Sequence, residues 1–140
     1  GVDGIIIPDC PYEESKEVSD ICYKYDVDLI SMIAPTSKER TLEIAAQAKG
    51  FIYLVSSMGV TGMRSNIVTD IEGIVESIKT VTDTPVAVGF GINSPAQVKH
   101  FGNIADGVIV GSAIVNLIKE HGDRAHQPLF NYIQTLIKEL

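Results

Sequence analysis

Hydrophobic positions along the 140-residue chain change period repeatedly, short apolar runs alternating with stretches in which apolar residues recur every three or four positions. Gly4-Ile5-Ile6-Ile7-Pro8 is continuously apolar and β-branched, the pattern of a strand buried on both faces. Asp9-Cys10-Pro11 bends the chain. From about Glu13, Val18, Ile21, Cys22 and Tyr25 recur at helical spacing and leave Glu17, Asp20 and Lys24 for solvent. Residues 28–34 form the next predicted strand, stopped by Pro35. Thr36 and Glu39 then resemble a capping box for a helix carrying Leu42, Ala45 and Ala48, which ends at a left-handed Gly50.

The same rhythm continues. Residues 51–55 are a third strand, followed by an uncommonly long, glycine-punctuated loop over 56–66. Thr69 and Glu72 cap a helix whose Ile71, Ile74, Val75, Ile78 and Val81 face inward. Asp83-Thr84-Pro85 turns into a fourth strand over 85–88, and Gly89-Phe90-Gly91 ends it. Ser94, Pro95 and Gln97 read as cap, first-turn proline and box-closing residue of a helix reaching Phe101. A fifth strand over 106–110 ends at Gly111-Ser112 and leads straight into a short helix that breaks at His121-Gly122-Asp123. Pro128 opens a terminal helix with Leu129, Phe130, Ile133, Leu136, Ile137 and Leu140 on one side.

Five buried strands, each followed by a helix, must lie in a parallel sheet with right-handed crossovers. An open doubly wound sheet and a closed barrel both fit. Polar, glycine-rich loops after every strand favour the barrel, in which all ligand groups come from one rim. Gly89-Phe90-Gly91 continues into Ile92-Asn93-Ser94, so no dinucleotide-binding G-x-G-x-x-G is formed. The expected architecture is a partial (β/α)8 TIM barrel of five parallel units, with a short phosphate-site helix and a C-terminal helix. Five units leave strand edges uncovered, so residues 1–140 are expected to be the C-terminal portion of one barrel domain whose N-terminal strands precede Gly1.

Composition narrows the chemistry. Hydrophobic residues at 45% and charged residues at 21% describe a globular chain rather than a disordered one. A formal charge of -7 argues against nucleic acid and anionic membranes as partners, and no run approaches the roughly 18 apolar residues of a membrane span. Two cysteines, Cys10 and Cys22, are too few for a disulfide framework and are read as reduced residues of a cytoplasmic protein. His100, His121 and His126 lack zinc spacing, so no metal is expected.

An anionic ligand then needs a local cradle. Backbone amides freed by glycine turns and aimed into a helix start form one, here using Gly62, Gly91, Gly111 and Ser112, with Thr61 nearby. Tight-turn geometry alone explains most such glycines. Asp9 either meets a ligand or partner, or caps a proline-flanked turn. Tyr53 fills the core or offers its hydroxyl to a substrate, and Phe90 stacks on an aromatic ligand or plugs the rim. The 56–66 loop is a candidate lid. No acid/base pair of carboxylates stands out, since Glu13 and Glu14 suit the positive end of a helix.

Together, Pro8-Asp9-Cys10-Pro11-Tyr12-Glu13-Glu14-Ser15, Tyr53-Leu54-Val55-Ser56-Ser57-Met58-Gly59-Val60-Thr61-Gly62, Gly89-Phe90-Gly91-Ile92-Asn93-Ser94-Pro95 and Gly111-Ser112-Ala113 resemble the alpha subunit of tryptophan synthase, from its fourth barrel strand to its eighth. The resemblance implies a lyase of tryptophan biosynthesis that cleaves indole-3-glycerol phosphate by a retro-aldol step and passes indole to a beta subunit holding pyridoxal phosphate, the two forming a heterotetramer. It implies that Gly62, Gly91, Gly111 and Ser112 surround the phosphate, Phe90 lines the indole end, and Tyr53 and Thr61 support the site. It places Asp9 and Pro11 toward the beta subunit. Ser57 stands where some members have arginine. The family's catalytic glutamate and aspartate belong upstream of the fourth strand, so this portion, itself without a cofactor, is expected to bind without turning substrate over. The competing expectations are a noncatalytic phosphate-binding or docking module, or another phosphate-binding aldolase or isomerase barrel.

Overall fold

A computed structural model of the chain describes residues 1–35, 37–56 and 70–140. Among the described residues six short strands and six α-helices follow one another: β1 (Gly4–Ile5), α1 (Ser15–Lys24), β2 (Asp28–Leu29), β3 (Ser31–Ile33), α2 (Lys38–Gln47), β4 (Ile52–Val55), α3 (Ile71–Lys79), β5 (Val86–Gly89), α4 (Pro95–Gly102), β6 (Gly107–Val108), α5 (Ser112–His121) and α6 (His126–Ile137). Every strand pair is parallel, in the order β1-β2 and β3-β4-β5-β6.

The predicted 28–34 strand is β2 and β3 in succession, broken at Ile30. Its first half pairs with β1, Gly4 opposite Asp28, and its second half with β4, Ser31 opposite Ile52. Such displacement from one neighbour to the next is the stagger that curls a sheet toward a barrel. Strands are shorter than the apolar runs suggested. The hydrogen bonds continue further, however, with Ile30 N donating to Ile5 O at 2.9 Å and Ile109 N to Val88 O at 2.8 Å.

Side chains alternate across the sheet. Ile33, Ile52, Leu54, Val86 and Val88 face the helices and pack with Ile44, Ala45, Ile71, Val75, Ile78, Val98 and Leu136. Ile52, Leu54, Ile78, Val86 and Val88 are fully buried, each contributing about 1.5–3 kcal/mol relative to exposure. Tyr53, Val55 and Ala87 point to the concave face and are half-buried.

Helix starts are set locally. Ser94 Oγ accepts from Gln97 N at 3.4 Å, Gln97 Oε1 accepts from Ser94 N at 3.2 Å, and Pro95 occupies the first turn, as the sequence predicts. Two other caps differ from expectation. Ser37 rather than Thr36 caps α2, accepting from Arg40 N; Thr36 lies outside the described residues. Asp70 rather than Thr69, also outside them, caps α3 by accepting from Gly73 N at 2.9 Å. A Cβ on Gly73 would crowd the Asp70 carboxylate, with Cγ 3.0 Å away, so glycine at this position lets the cap close.

Two helical faces also depart from the predicted pattern. On α1, Ile21 (58%) is exposed and no residue is buried, and Tyr25 (76%) is exposed at its C-cap. This helix lies over the two-stranded end of the sheet, and a 550 Å³ cavity separates it from α2. Polar straps cross the gap, Arg40 to Glu13 at 2.6 Å, Gln47 to Tyr12, and the Lys49 ammonium over the Tyr23 ring, while Tyr12 packs at the edge of the core. Arg40 holds the Glu13 carboxyl down at about 2, yet both partners are exposed, so the pair adds little stability. On α6, Leu136 is buried whereas Phe130, Ile133 and Ile137 face outward. That helix starts two residues before Pro128, which sits in its first turn.

At the opposite end of the strands, Asp106 clamps β5 to β6. Its Oδ2 accepts from Val86 N at 2.7 Å and Lys79 Nζ at 2.6 Å, and these bonds hold its carboxyl below the ordinary value. A lowered folded-state pKa gives stability that is fully present above the unfolded pKa near 3.8 and lost as pH falls toward the folded value. Urea unfolding from pH 6 to pH 3 is therefore expected to show a smaller acid-induced loss in Asp106→Asn than in the parent. At pH 7, Asp106→Ala is expected to cost about 1–2 kcal/mol by stranding the Val86 amide.

Candidate anion site at the strand tips

The carboxyl ends of β4, β5 and β6 lie side by side because the ladder extends past the strands: Ser56 N donates to Gly89 O at 2.8 Å. Beyond Gly89 the chain turns through two successive left-handed residues, Phe90 (φ 81°) and Gly91 (φ 76°). Glycine tolerates this conformation, whereas phenylalanine is strained there by about 1–2 kcal/mol. Something must hold the turn. Ser56 Oγ donates to Phe90 O on one side. On the other, Gln97 Oε1 accepts from Asn93 N at 3.0 Å and the Tyr132 hydroxyl donates to Asn93 O at 2.9 Å. Burial raises the Tyr132 pKa above its ordinary value.

Facing this turn is the start of α5. Gly111 is its N-cap (φ −117°, ψ −71°) and provides no capping side chain, so the first-turn amides have no side-chain cap. Gly91 and Ser112 line one 370 Å³ groove, together with Ala113, Asn116, Glu120 and Tyr132. A Cβ added at Gly91 or Gly111 would meet nothing within 4 Å. At Gly91 the backbone angle calls for glycine. At Gly111 the φ is negative and the space is open, so neither conformation nor packing calls for one.

No lysine or arginine lines the groove. In place of a basic side chain, the groove borders the first turn of α5, which has no side-chain cap and is the positive end of that helix. Glu120 opposes an anion but sits eight residues along the helix from Ser112, about 12 Å away at the α-helical rise.

The structure thus brings Gly91 and Ser112 together in one groove, with Gly111 next to Ser112 in the chain and Phe90, half-exposed, next to Gly91. Tyr53 lies on the concave face against Gly89, where a Cβ would be 2.6 Å from the ring Cζ. Thr61 and Gly62, with Ser57 and all of the proposed lid after Ser56, lie outside the described residues. Asp9 and Pro11 are exposed in the turn after β1, away from the groove, and Asp9 makes no side-chain hydrogen bond among the described residues. His100 is exposed on α4, its ring 4.9 Å from that of Phe101. Among the described residues no group of three His, Cys, Asp or Glu side chains is placed to hold a metal, and no helix is long and apolar enough to cross a membrane. Both cysteines are unpaired.

Two holding residues escaped sequence reasoning. Ser56 reads as the first residue of a loop, and Tyr132 as one more aromatic on the terminal helix. Their partners lie 34 and 39 residues away, and only the folded sheet and helix layer bring them close.

Staggered parallel strands backed by helices, with glycine-ended tips facing a helix start, define a segment of a (β/α) barrel. The family model for the tryptophan synthase alpha chain matches residues 1–139, and the chain belongs to that family. The alpha chain of Lactiplantibacillus plantarum is 54% identical over 121 residues, covering 86% of this chain and 46% of that protein. That of Bacillus pumilus is 46% identical over 123 residues, covering 88% and 46%. A chain of the tryptophan synthase a2b2 complex of Pyrococcus furiosus superposes with a TM-score of 0.82 at 35% identity, covering 99% of this chain and 56% of that one. The alpha subunit from Campylobacter jejuni gives 0.79 at 37% identity, covering 92% and 53%. The chain spans about half the length of the curated relatives it matches.

Gly89→Ala is expected to lower stability by about 1–3 kcal/mol through overlap with the Tyr53 ring. Adding Tyr53→Val should remove most of that penalty. A double-mutant cycle from urea unfolding checks the coupling, and strict additivity would contradict the packing.

Proposed function

We propose that this chain supplies the phosphate-binding end of a barrel that cleaves indole-3-glycerol phosphate to indole and glyceraldehyde 3-phosphate in tryptophan biosynthesis. The observation that carries the reading is the pairing of the Gly91 turn with the open Gly111-Ser112 helix start in one groove. The phosphate dianion accepts from the amides of Gly91, Gly111 and Ser112 and from the Ser112 hydroxyl, with Gly62 and Thr61 closing over it. Phe90 faces the indole end, and Tyr53 bounds the concave interior. Asp9 and Pro11 belong to the side that meets the beta subunit of the heterotetramer, where pyridoxal phosphate resides. The setting is cytoplasmic.

Retro-aldol cleavage needs a group to take and return protons near the bond that breaks. Glu120, the carboxylate in the groove, lies at the end remote from Ser112, and Asp9 is exposed outside it. Neither carboxylate is placed to do this, so the amides of Gly91, Gly111 and Ser112 bind and orient substrate without turning it over by themselves.

Titrating the 15N-labelled chain with inorganic phosphate is expected to move the amide signals of Gly91, Gly111 and Ser112 along one saturation curve. Ser112→Ala should weaken that binding about tenfold, the loss of one hydrogen bond to a charged group. Indole-3-glycerol phosphate should give the same shifts without indole release. Shifts confined to other residues would overturn the site, and turnover by this chain would overturn the division of labour.

A further inference from the structure

The Gly91 amide has no hydrogen-bond acceptor among the described residues, although it sits in a turn held at both ends. Its direction is not arbitrary. The Phe90 carbonyl and the Gly91 N–H belong to one peptide unit, which is planar and trans, so the two bonds point in opposite directions. Whatever fixes that oxygen also aims the amide. The group that fixes it is the Ser56 hydroxyl, donated from the tip of the neighbouring strand, while Ser56 N donates to Gly89 O at 2.8 Å. One residue therefore grips two successive carbonyls, immediately before and within the left-handed pair at Phe90 and Gly91.

We propose that Ser56 is a positioning residue: its hydroxyl, by holding the Phe90 oxygen, turns the Gly91 amide toward the groove shared with Ser112. This deepens the phosphate reading and rests on it. Ser56 touches no ligand. Without its hydroxyl, the Phe90 oxygen loses its bond to the β4 tip, the Ser56 N bond to Gly89 O stays behind one peptide earlier, and the Phe90-Gly91 peptide is freer to rotate. The amide then no longer points steadily at the groove, and an anion must order it on binding.

The test compares Ser56→Ala and Ser56→Thr with the parent chain on two separate signals. The three-bond HN–Hα coupling and Cα shift of Phe90 report the turn without ligand, and inorganic phosphate titration reports the site. In Ser56→Ala the Phe90 values are expected to move to those of an averaged turn and phosphate affinity to fall about tenfold. Core amides at Leu54 and Val88 should stay in place, and Ser56→Thr, which keeps the hydroxyl, should restore both readings. Unchanged Phe90 values in Ser56→Ala would overturn the clamp. A changed turn with unchanged phosphate affinity would overturn its role at the site. Absence of phosphate binding in the parent chain would instead overturn the phosphate reading, and the Phe90 signals would still decide whether Ser56 sets the turn.

Discussion

The parallel register is the constraint on which the rest of this structure depends. Each strand meets its neighbour with a fixed offset, and residues 28–33 show the consequence directly, pairing with β1 through Asp28 and Leu29 and with β4 through Ser31 to Ile33. Because side chains alternate, the same register that sends Ile52, Leu54, Val86 and Val88 into the helix layer leaves Tyr53 and Ala87 on the concave face. A slip of one residue would exchange the two sets. It would also pull Ser56 away from Phe90 and part the tips of β4 and β5. Core packing and site geometry are thus two results of one alignment.

The two ends of the sheet divide the work, as barrel architecture leads one to expect. At the amino ends, Asp106 replaces a missing ladder partner for Val86 and ties in Lys79, a device of stability. At the carboxyl ends, strain and unpaired amides collect: Phe90 in a left-handed conformation, Gly91 without an acceptor among the described residues, Gly111 capping a helix without a side chain. Such a site suits a protein with a net charge of -7. The overall field repels an anion, so the proposed phosphate would have to be held at hydrogen-bond range and by preset geometry.

The sequence reveals much of this where the chemistry is local. The Ser94–Gln97 box, the break at Gly122 (φ 54°) and the glycine at the left-handed position 91 are all written in neighbouring residues. So is the βα rhythm. Where two adjacent residues carry the same chemistry the signal fails by one step, as with Thr36 and Ser37 or Thr69 and Asp70, since the backbone selects the cap. Features joining distant segments are illegible in principle. Ser56 acquires its role only when β4 lies beside β5, and the outward face of α1 follows from its place over the two-stranded end of the sheet. The family's motifs supplied the functional reading that periodicity could not.

The most direct test of the register is a set of interstrand nuclear Overhauser contacts in the folded chain. Leu54 should contact the backbone of Val88, and Val88 that of Val108, in the parallel sense. Contacts displaced by one residue, or of antiparallel type, would put Tyr53 among the helices and contradict the account.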